Sequence, residues 1–189
     1  MEFFKKHINT LTQSLEKSMN EWKQGITNRN NKNADKGTQN VKQRLTTLSN
    51  FISQHYILLD FVTKHFLQLK DNKLALQQLG ISNIEEMFTA LRSIEIELRN
   101  VRSLVQNTLR DVNGMQKGAN YLVEYYESTE EKLKEIQDAI KQMDSLITAE
   151  ITALYKDARS IASKKGASKE MADAVKLIIA AEKEIANIK

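Results

Sequence analysis

Apolar residues recur at alternating spacings of three and four along the middle of the chain, from Ile84 to Tyr126. We call this set the long seam, and its apolar members are Ile84, Met87, Leu91, Ile94, Leu98, Val101, Val105, Val112, Met115, Leu122 and Tyr126. Such spacing places every member on one face of an α-helix and is typical of coiled-coil heptads. A solitary helix would leave this face in water, so the long seam predicts pairing with another long helix, in the same chain or in a second one.

The scarcity of turn-forming residues also favours helices. The 189 residues include no proline and only six glycines, whereas average usage would supply about nine prolines. Proline costs about 3 kcal/mol inside a helix, and no run alternates apolar and polar residues as a strand would. We therefore predict an all-α fold, a single elongated antiparallel helical bundle or coiled coil of four to five helices.

The periodic segments and the breaks between them predict the helix bounds. Five helices cover about residues 2–26, 38–70, 82–127, 129–164 and 168–188. Ser82 begins a capping box, Ser168 suits an N-cap, and the Lys-Lys-Gly at 164–166 suits a helix stop. Residues 27–37 hold four asparagines and lose the apolar periodicity, so we predict a flexible loop there.

The boundary between the third and fourth helices has more than one interpretation. We place a break at 126–129, because Ser128 with Glu131 offers a second capping box. The seam register nevertheless continues in phase past this point, so one unbroken helix is an alternative. Gly114 and Gly118 offer another hinge, which we interpret as a locally weakened helix or a close helix crossing.

Charge and aromatic patterns argue against nucleic acid as a partner. The net charge of +4 is carried by residues 1–80, which contain 12 basic and 6 acidic residues. These basic residues do not form runs, and scattered charges are typical of a solvated face. Tyr121, Tyr125 and Tyr126 are not interleaved with Lys or Arg, as a single-strand binder would need. We interpret them as core residues or as a partner-facing patch.

The sequence lacks the common catalytic and metal-binding motifs. Without cysteine there is neither thiolate chemistry nor a disulfide. His7, His55 and His65 fall in no zinc or di-iron spacing. His55 lies on the apolar seam of the second predicted helix, where we interpret it as a polar residue that fixes helix register. We predict a protein that is not an enzyme and that needs no metal or other cofactor.

The first helix raises an alternative role at a membrane surface. Phe3, Phe4 and Trp22 occur near Lys5 and Lys6, a combination found in helices that lie in a bilayer interface. No segment is apolar enough to span a bilayer, and the first residues lack the apolar core of a signal peptide. We predict a cytoplasmic protein, or one exported without a cleavable signal peptide. An anionic membrane is the alternative partner.

The long seam carries the main functional prediction. We predict a structural or adaptor protein that uses this seam to bind a partner helix or to form a homodimer. Few Pro and Cys with abundant Asn, Gln and Lys suit a bacterial, AT-rich genome. The layout of long helices is similar to that of spectrin-like bundles, BAR-type membrane-bending dimers and helical bundles of bacterial secretion systems. No motif assigns the chain to one of these families.

Overall fold

The structure, a computed structural model, describes residues 2–164 and 168–188, with side chains from residue 4 onward. Its helices are α1 (Glu2–Thr27), α2 (Asn31–Leu69), α3 (Lys73–Gln78), α4 (Ile84–Gly114), a 3-10 helix (Ala119–Tyr121), α5 (Val123–Ser145), α6 (Ala149–Ala162) and α7 (Lys169–Ala186). No strand occurs within these ranges. The predicted all-α class is confirmed, although the helices are more numerous than predicted, α2 is longer, and the helices from α4 onward are shorter.

The hairpin of α1 and α2 corrects the loop predicted at 27–37. Only residues 28–30 separate the two helices, and the Asn30 side chain accepts a hydrogen bond from the Asn33 N–H to cap α2. The helices cross so closely that a Cβ on Gly25 would lie 2.2 Å from the Ala34 backbone nitrogen. Because Ala34 is buried in this crossing, tertiary packing outweighs the poor helix propensity of the surrounding Asn and Gly residues.

The chain turns at Gly114, and the break predicted at 126–129 is wrong. α4 ends at Gly114, and Gly118 adopts the left-handed conformation with a φ of 89°, which favours glycine. α5 begins at Val123, so Ser128 lies inside a helix and caps nothing. α4 and α5 pack against each other and both contribute to the same core, so seam residues on either side of the turn are buried although no single helix joins them.

Two helix starts differ from their predicted caps. α4 is capped by Asn83 rather than by Ser82, and the Asn83 side chain accepts hydrogen bonds from two backbone N–H groups of the first turn. Thr148 caps α6 and divides the helix predicted at 129–164. An N-cap side chain needs only one oxygen near the free N–H groups, so neighbouring Ser, Thr and Asn residues compete for this position.

The remaining boundaries lie near their predicted positions. Ser168 caps α7 as predicted, because its side chain accepts a hydrogen bond from the Met171 N–H. The short α3 occupies the connection between α2 and α4, which the predicted helices had left without an element of its own. The predicted helix stop at 165–166 and the Phe3 side chain lie outside the described residues.

α2 lies at the centre of the helix packing. It contacts α1, α4, α6 and α7, while α1 and α4 also pack against α5. Its 39 residues extend about 58 Å at the usual helical rise. Buried residues from all seven α-helices belong to one hydrophobic core, to which the short α3 contributes Leu76. Within the described ranges, no helix is long and apolar enough to cross a membrane.

Candidate functional site

The structure places most of the long seam inside the chain's own core. The fully or nearly fully buried members are Met87, Leu91, Ile94, Leu98, Val101, Val105, Val112 and Tyr126. The helix that carries most of them, α4, packs against α2 and α5. Ile84 and Leu122 are exposed, and Met115 is half-buried. A partner helix would reach the buried members only by opening this packing, so the seam is not a free binding stripe.

Two residues of the predicted membrane face belong to the core. Phe4 is 1% exposed and Trp22 is fully buried, which corrects their assignment to a bilayer-facing surface. Lys6 is exposed and Lys5 is half-buried, while nothing is described of the Phe3 side chain. The apolar residues of α1 are buried where this helix packs against α2, and large aromatic rings such as Phe4 and Trp22 contribute much apolar surface to such a core.

Trp22 of α1 binds the turn after α4 to the α1–α2 hairpin through a hydrogen bond. Its Nε1–H donates to the Asn120 carbonyl at 2.6 Å, in a buried hydrogen bond. The Asn120 side chain in turn donates to the Asp35 carboxylate of α2, and the Tyr121 hydroxyl donates to the Asn31 carbonyl at 3.2 Å. The turn after α4 is therefore joined to both helices of the α1–α2 hairpin, which precede it by 85 to 98 residues in the sequence. We call the contacts of Trp22, Asn120 and Tyr121 the anchor of the turn.

Tyr126 of α5 adds to this anchor by packing against Trp22. Its ring meets the Trp22 ring edge-on, with centroids 5.6 Å apart, and the Lys23 ammonium lies 5.8 Å above the centre of the Tyr126 ring. The Tyr126 hydroxyl donates to the Glu130 carboxylate at 2.9 Å. Burial, with a smaller contribution from Glu130, raises the pKa of Tyr126 to about 12, so the phenol stays neutral at physiological pH.

Large apolar side chains are exposed directly beside this anchor. Leu122 and Val123 are each 51% exposed, and Tyr125 is 40% exposed. We call these three residues the turn surface. Elsewhere in the described ranges, the large exposed apolar residues occur singly or as the pair Leu177 and Ile179. A contiguous exposed apolar patch is a common mark of an interaction site, whereas single exposed residues need no explanation.

A groove runs between the end of α4 and the start of α5 and reaches the turn surface at Tyr125. Its volume is about 530 Å³, and it is lined by Arg110, Asp111, Val112, Gly114, Met115, Tyr125, Ser128, Thr129 and Lys132. Lys132 and Asp111 form an ion pair between the two helices. The seam residue Met115 borders this groove while it also packs against the edge of the core. The groove combines apolar side chains (Val112, Met115 and Tyr125) with charged and hydroxyl groups, and polar groups in a concave site can orient a bound partner.

The histidines occupy structural positions. His55 is 2% exposed and lies edge-on to the rings of Phe4 and Phe51, at 4.5 Å between centroids in each case. Burial first, and then the positive charge of Arg159, hold the pKa of His55 well below its usual value. His65 bonds through Nε2 to the Asp157 carboxylate at 2.7 Å. In the described residues, no group of three His, Asp or Glu side chains is placed to hold a metal ion.

Sequence reasoning grouped the residues of the turn surface differently. Leu122 is in register with the long seam, yet it is exposed because the turn at 115–122 separates it from α4. The interpretation of the tyrosines as core or as a partner-facing patch divides between them: Tyr126 is buried, whereas Tyr125 is exposed. The signal that could have separated them was the pair Gly114 and Gly118, which marks the turn.

Comparisons of the chain with protein-family models, with curated proteins and with solved structures found no match. Its function is therefore inferred from its own residues.

Proposed function

We propose that this protein is a non-catalytic helical interaction protein that binds a protein partner through the turn surface. The observation that carries the proposal is the exposure of Leu122, Val123 and Tyr125 within four consecutive residues. Burying a fully exposed apolar side chain contributes about 1.5–3 kcal/mol, and these side chains, which are about half exposed, have roughly half of that left to contribute. Three neighbouring residues of this kind, of which Tyr125 also lines the groove, form the small apolar centre that dominates many interfaces.

The anchor beneath the turn surface favours a preformed binding site. The Trp22–Asn120 hydrogen bond and the Tyr121–Asn31 hydrogen bond hold the turn on both sides of the helical hairpin. A rigid loop loses little conformational entropy when a partner binds, and binding residues are often carried by loops that a rigid scaffold positions. We propose that a partner's apolar side chain enters the groove next to Tyr125.

The proposal replaces the long seam with the turn surface as the contact region. Leu98 and Val105 at the middle of the seam are fully buried, so they act as core residues of a helical bundle. The alternative role at a membrane surface would require α1 to leave the core, since Phe4 and Trp22 are buried. In the folded chain these two rings are covered by other residues, so they are not available to a bilayer. We therefore favour the turn surface as the contact with a partner.

Replacing Leu122 and Val123 together with Ser is expected to abolish partner binding without unfolding the protein. Both side chains are half-exposed, and surface substitutions usually change stability by less than about 0.5 kcal/mol. In affinity purification with quantitative mass spectrometry, a specific partner should fall by at least about tenfold, the equivalent of 1.4 kcal/mol. The matched control is Ile96→Ser, because Ile96 is an exposed apolar residue on α4 away from the turn.

The control separates loss of a specific contact from a general loss of surface apolarity. Ile96→Ser should retain the partner at the level of the unchanged protein, and all three proteins should share one thermal unfolding midpoint. A partner that the double variant retains as well as the unchanged protein does would show that the turn surface is not the binding site.

A further inference from the structure

We propose that mild acid releases the first part of α1, residues 4–9, from the bundle, with His55 as the trigger. This inference concerns a different region from the turn surface and does not depend on the proposed function. It rests on how His55 is enclosed, on which charges face it, and on which contacts would survive a change in its charge.

Phe4 of α1 forms part of the enclosure of His55. The imidazole is 2% exposed, and the Phe4 and Phe51 rings meet it edge-on on two sides. Neither ring nitrogen of His55 has a hydrogen-bond partner among the residues that the structure describes. A neutral imidazole tolerates such a setting at moderate cost, but an imidazolium carries two N–H donors and a full charge, which are far more costly to bury unpaired.

The charged groups that face His55 raise the free-energy cost of protonating it inside the closed bundle. Arg159 of α6 and His7 of α1 are the described groups whose charge opposes that of a protonated His55. Glu182 of α7 compensates part of the Arg159 charge, through an ion pair of 3.1 Å. A protonated His55 therefore needs access to water, and access requires movement of one of the elements that cover it.

A carboxyl group of α5 acts in the opposite direction. The Asp144 Oδ1 atom is buried with no hydrogen-bond partner among the described residues, and burial raises the pKa of Asp144 while the nearby Lys5 of α1 opposes that rise. A raised pKa means that the closed bundle binds the Asp144 proton more tightly than the released one does, so acid favours closure through this group. The proposed release therefore depends on His55 and not on Asp144.

The other element near His55, α6, is held by polar contacts to two other helices. His65 of α2 bonds to Asp157 of α6 at 2.7 Å, and Arg159 of α6 pairs with Glu182 of α7 at 3.1 Å. Movement of α6 would have to break both contacts, whereas Phe4 of α1 meets His55 through a ring contact. We therefore take residues 4–9 as the element that moves.

The direction of the pH dependence follows from the lowered pKa of His55. The closed arrangement binds fewer protons than the released one, so its stability is complete above about pH 6.5, the ordinary histidine value. As the pH falls from there toward the lowered pKa, the ratio of released to bound segment rises by up to about tenfold for each pH unit. Below the lowered pKa this further gain ends.

Site-directed spin labelling tests the proposal on the full chain. The sequence has no cysteine, so a nitroxide label is attached at Asn9→Cys or, as the matched control, at Asn20→Cys. Both asparagines are exposed on α1. Between about pH 7.5 and about pH 5, the histidine range, the mobile spectral component at position 9 should change from minor to dominant, while the spectrum at position 20 stays constant.

Two histidine variants identify the trigger. His55→Leu in the Asn9→Cys protein should keep the label immobile throughout this range, and His55→Gln, which is also uncharged at every pH, replaces it if the Leu variant does not fold. His65→Gln should release the segment as the unchanged protein does. The proposal is overturned by a label at position 9 that stays immobile in acid, by equal mobility gains at both positions, or by unchanged release in the folded His55 variant.

Discussion

Gly37→Ala is expected to lower the free energy of unfolding by about 1–3 kcal/mol or more, the usual cost of overpacking. A Cβ at this position would lie 2.4 Å from the Trp22 backbone nitrogen and 2.6 Å from the Trp22 Cα. Both atoms are backbone, so no side chain can rotate away to relieve the clash. α1 and α2 would have to separate, and the packing of Trp22 against α2 would be lost.

Gly114→Ala is the matched control for this prediction. A Cβ on Gly114 meets nothing within 4 Å, so Gly114→Ala is expected to raise stability by about 0.4–1 kcal/mol, because alanine has less conformational freedom than glycine in the unfolded chain. Urea denaturation followed by far-ultraviolet circular dichroism measures both variants. Equal stability of Gly37→Ala and the unchanged protein would contradict the close crossing of α1 and α2.

Trp22→Ala is expected to cost about 3–5 kcal/mol, as large aromatic truncations in cores do. Trp22 is fully buried and holds the turn through the 2.6 Å hydrogen bond to the Asn120 carbonyl. Trp22→Phe keeps an aromatic ring in the core but removes the indole N–H donor together with part of the ring volume. The carbonyl of Asn120 is then left without this donor, at a cost of about 1–3 kcal/mol, and the smaller ring adds a packing cost. The difference between the two variants measures the aromatic packing that phenylalanine retains.

Denaturation curves and partner binding together check the role of this anchor. Trp22→Phe should weaken the partner's affinity for the turn surface as well as stability, because the turn loses its fixed position. Leu122→Ala is the stability control, since Leu122 is half-exposed and its truncation should change stability by less than about 0.5 kcal/mol. If Trp22→Phe is as stable as the unchanged protein, the hydrogen bond is not an anchor.

Helix periodicity predicted which faces are buried more reliably than where helices end. The register of the long seam identified Leu91, Ile94 and Leu98 as buried side chains, because a fixed spacing places them on one helix face. It did not identify the neighbours that cover them. Those neighbours, α2 and α5, are determined by the turns between helices, and turns contribute no periodicity.

The α1–α2 hairpin shows why the loop prediction failed. Ala34 and Thr38 continue the three-and-four spacing that Val41 begins, and both are buried. Because small residues carry little apolar surface, a search for large apolar side chains passes over them. Close helix crossings are built from such residues, so the absence of large apolar residues was misinterpreted as the absence of a helix.

The turn that exposes the candidate site could not be predicted from the apolar spacing, because the spacing of three and four continues through it. Leu122 falls in phase with the buried seam although it is exposed, because Gly118 reverses the chain just before it. Only the local glycine signal indicated a reversal there. The surface around Leu122 then follows from three-dimensional contacts, above all from Trp22, which lies far from it in sequence.

Sedimentation equilibrium at tens of micromolar protein tests most directly whether the long seam is used within the chain, leaving the turn surface for a partner. With the seam packed against α2 and α5, we predict a single species of 21.7 kDa across the concentration range. A species of twice that mass, dissociating on dilution by mass action and lost in Leu98→Asp under conditions where that variant remains folded, would contradict this account and restore the seam as the contact between two copies.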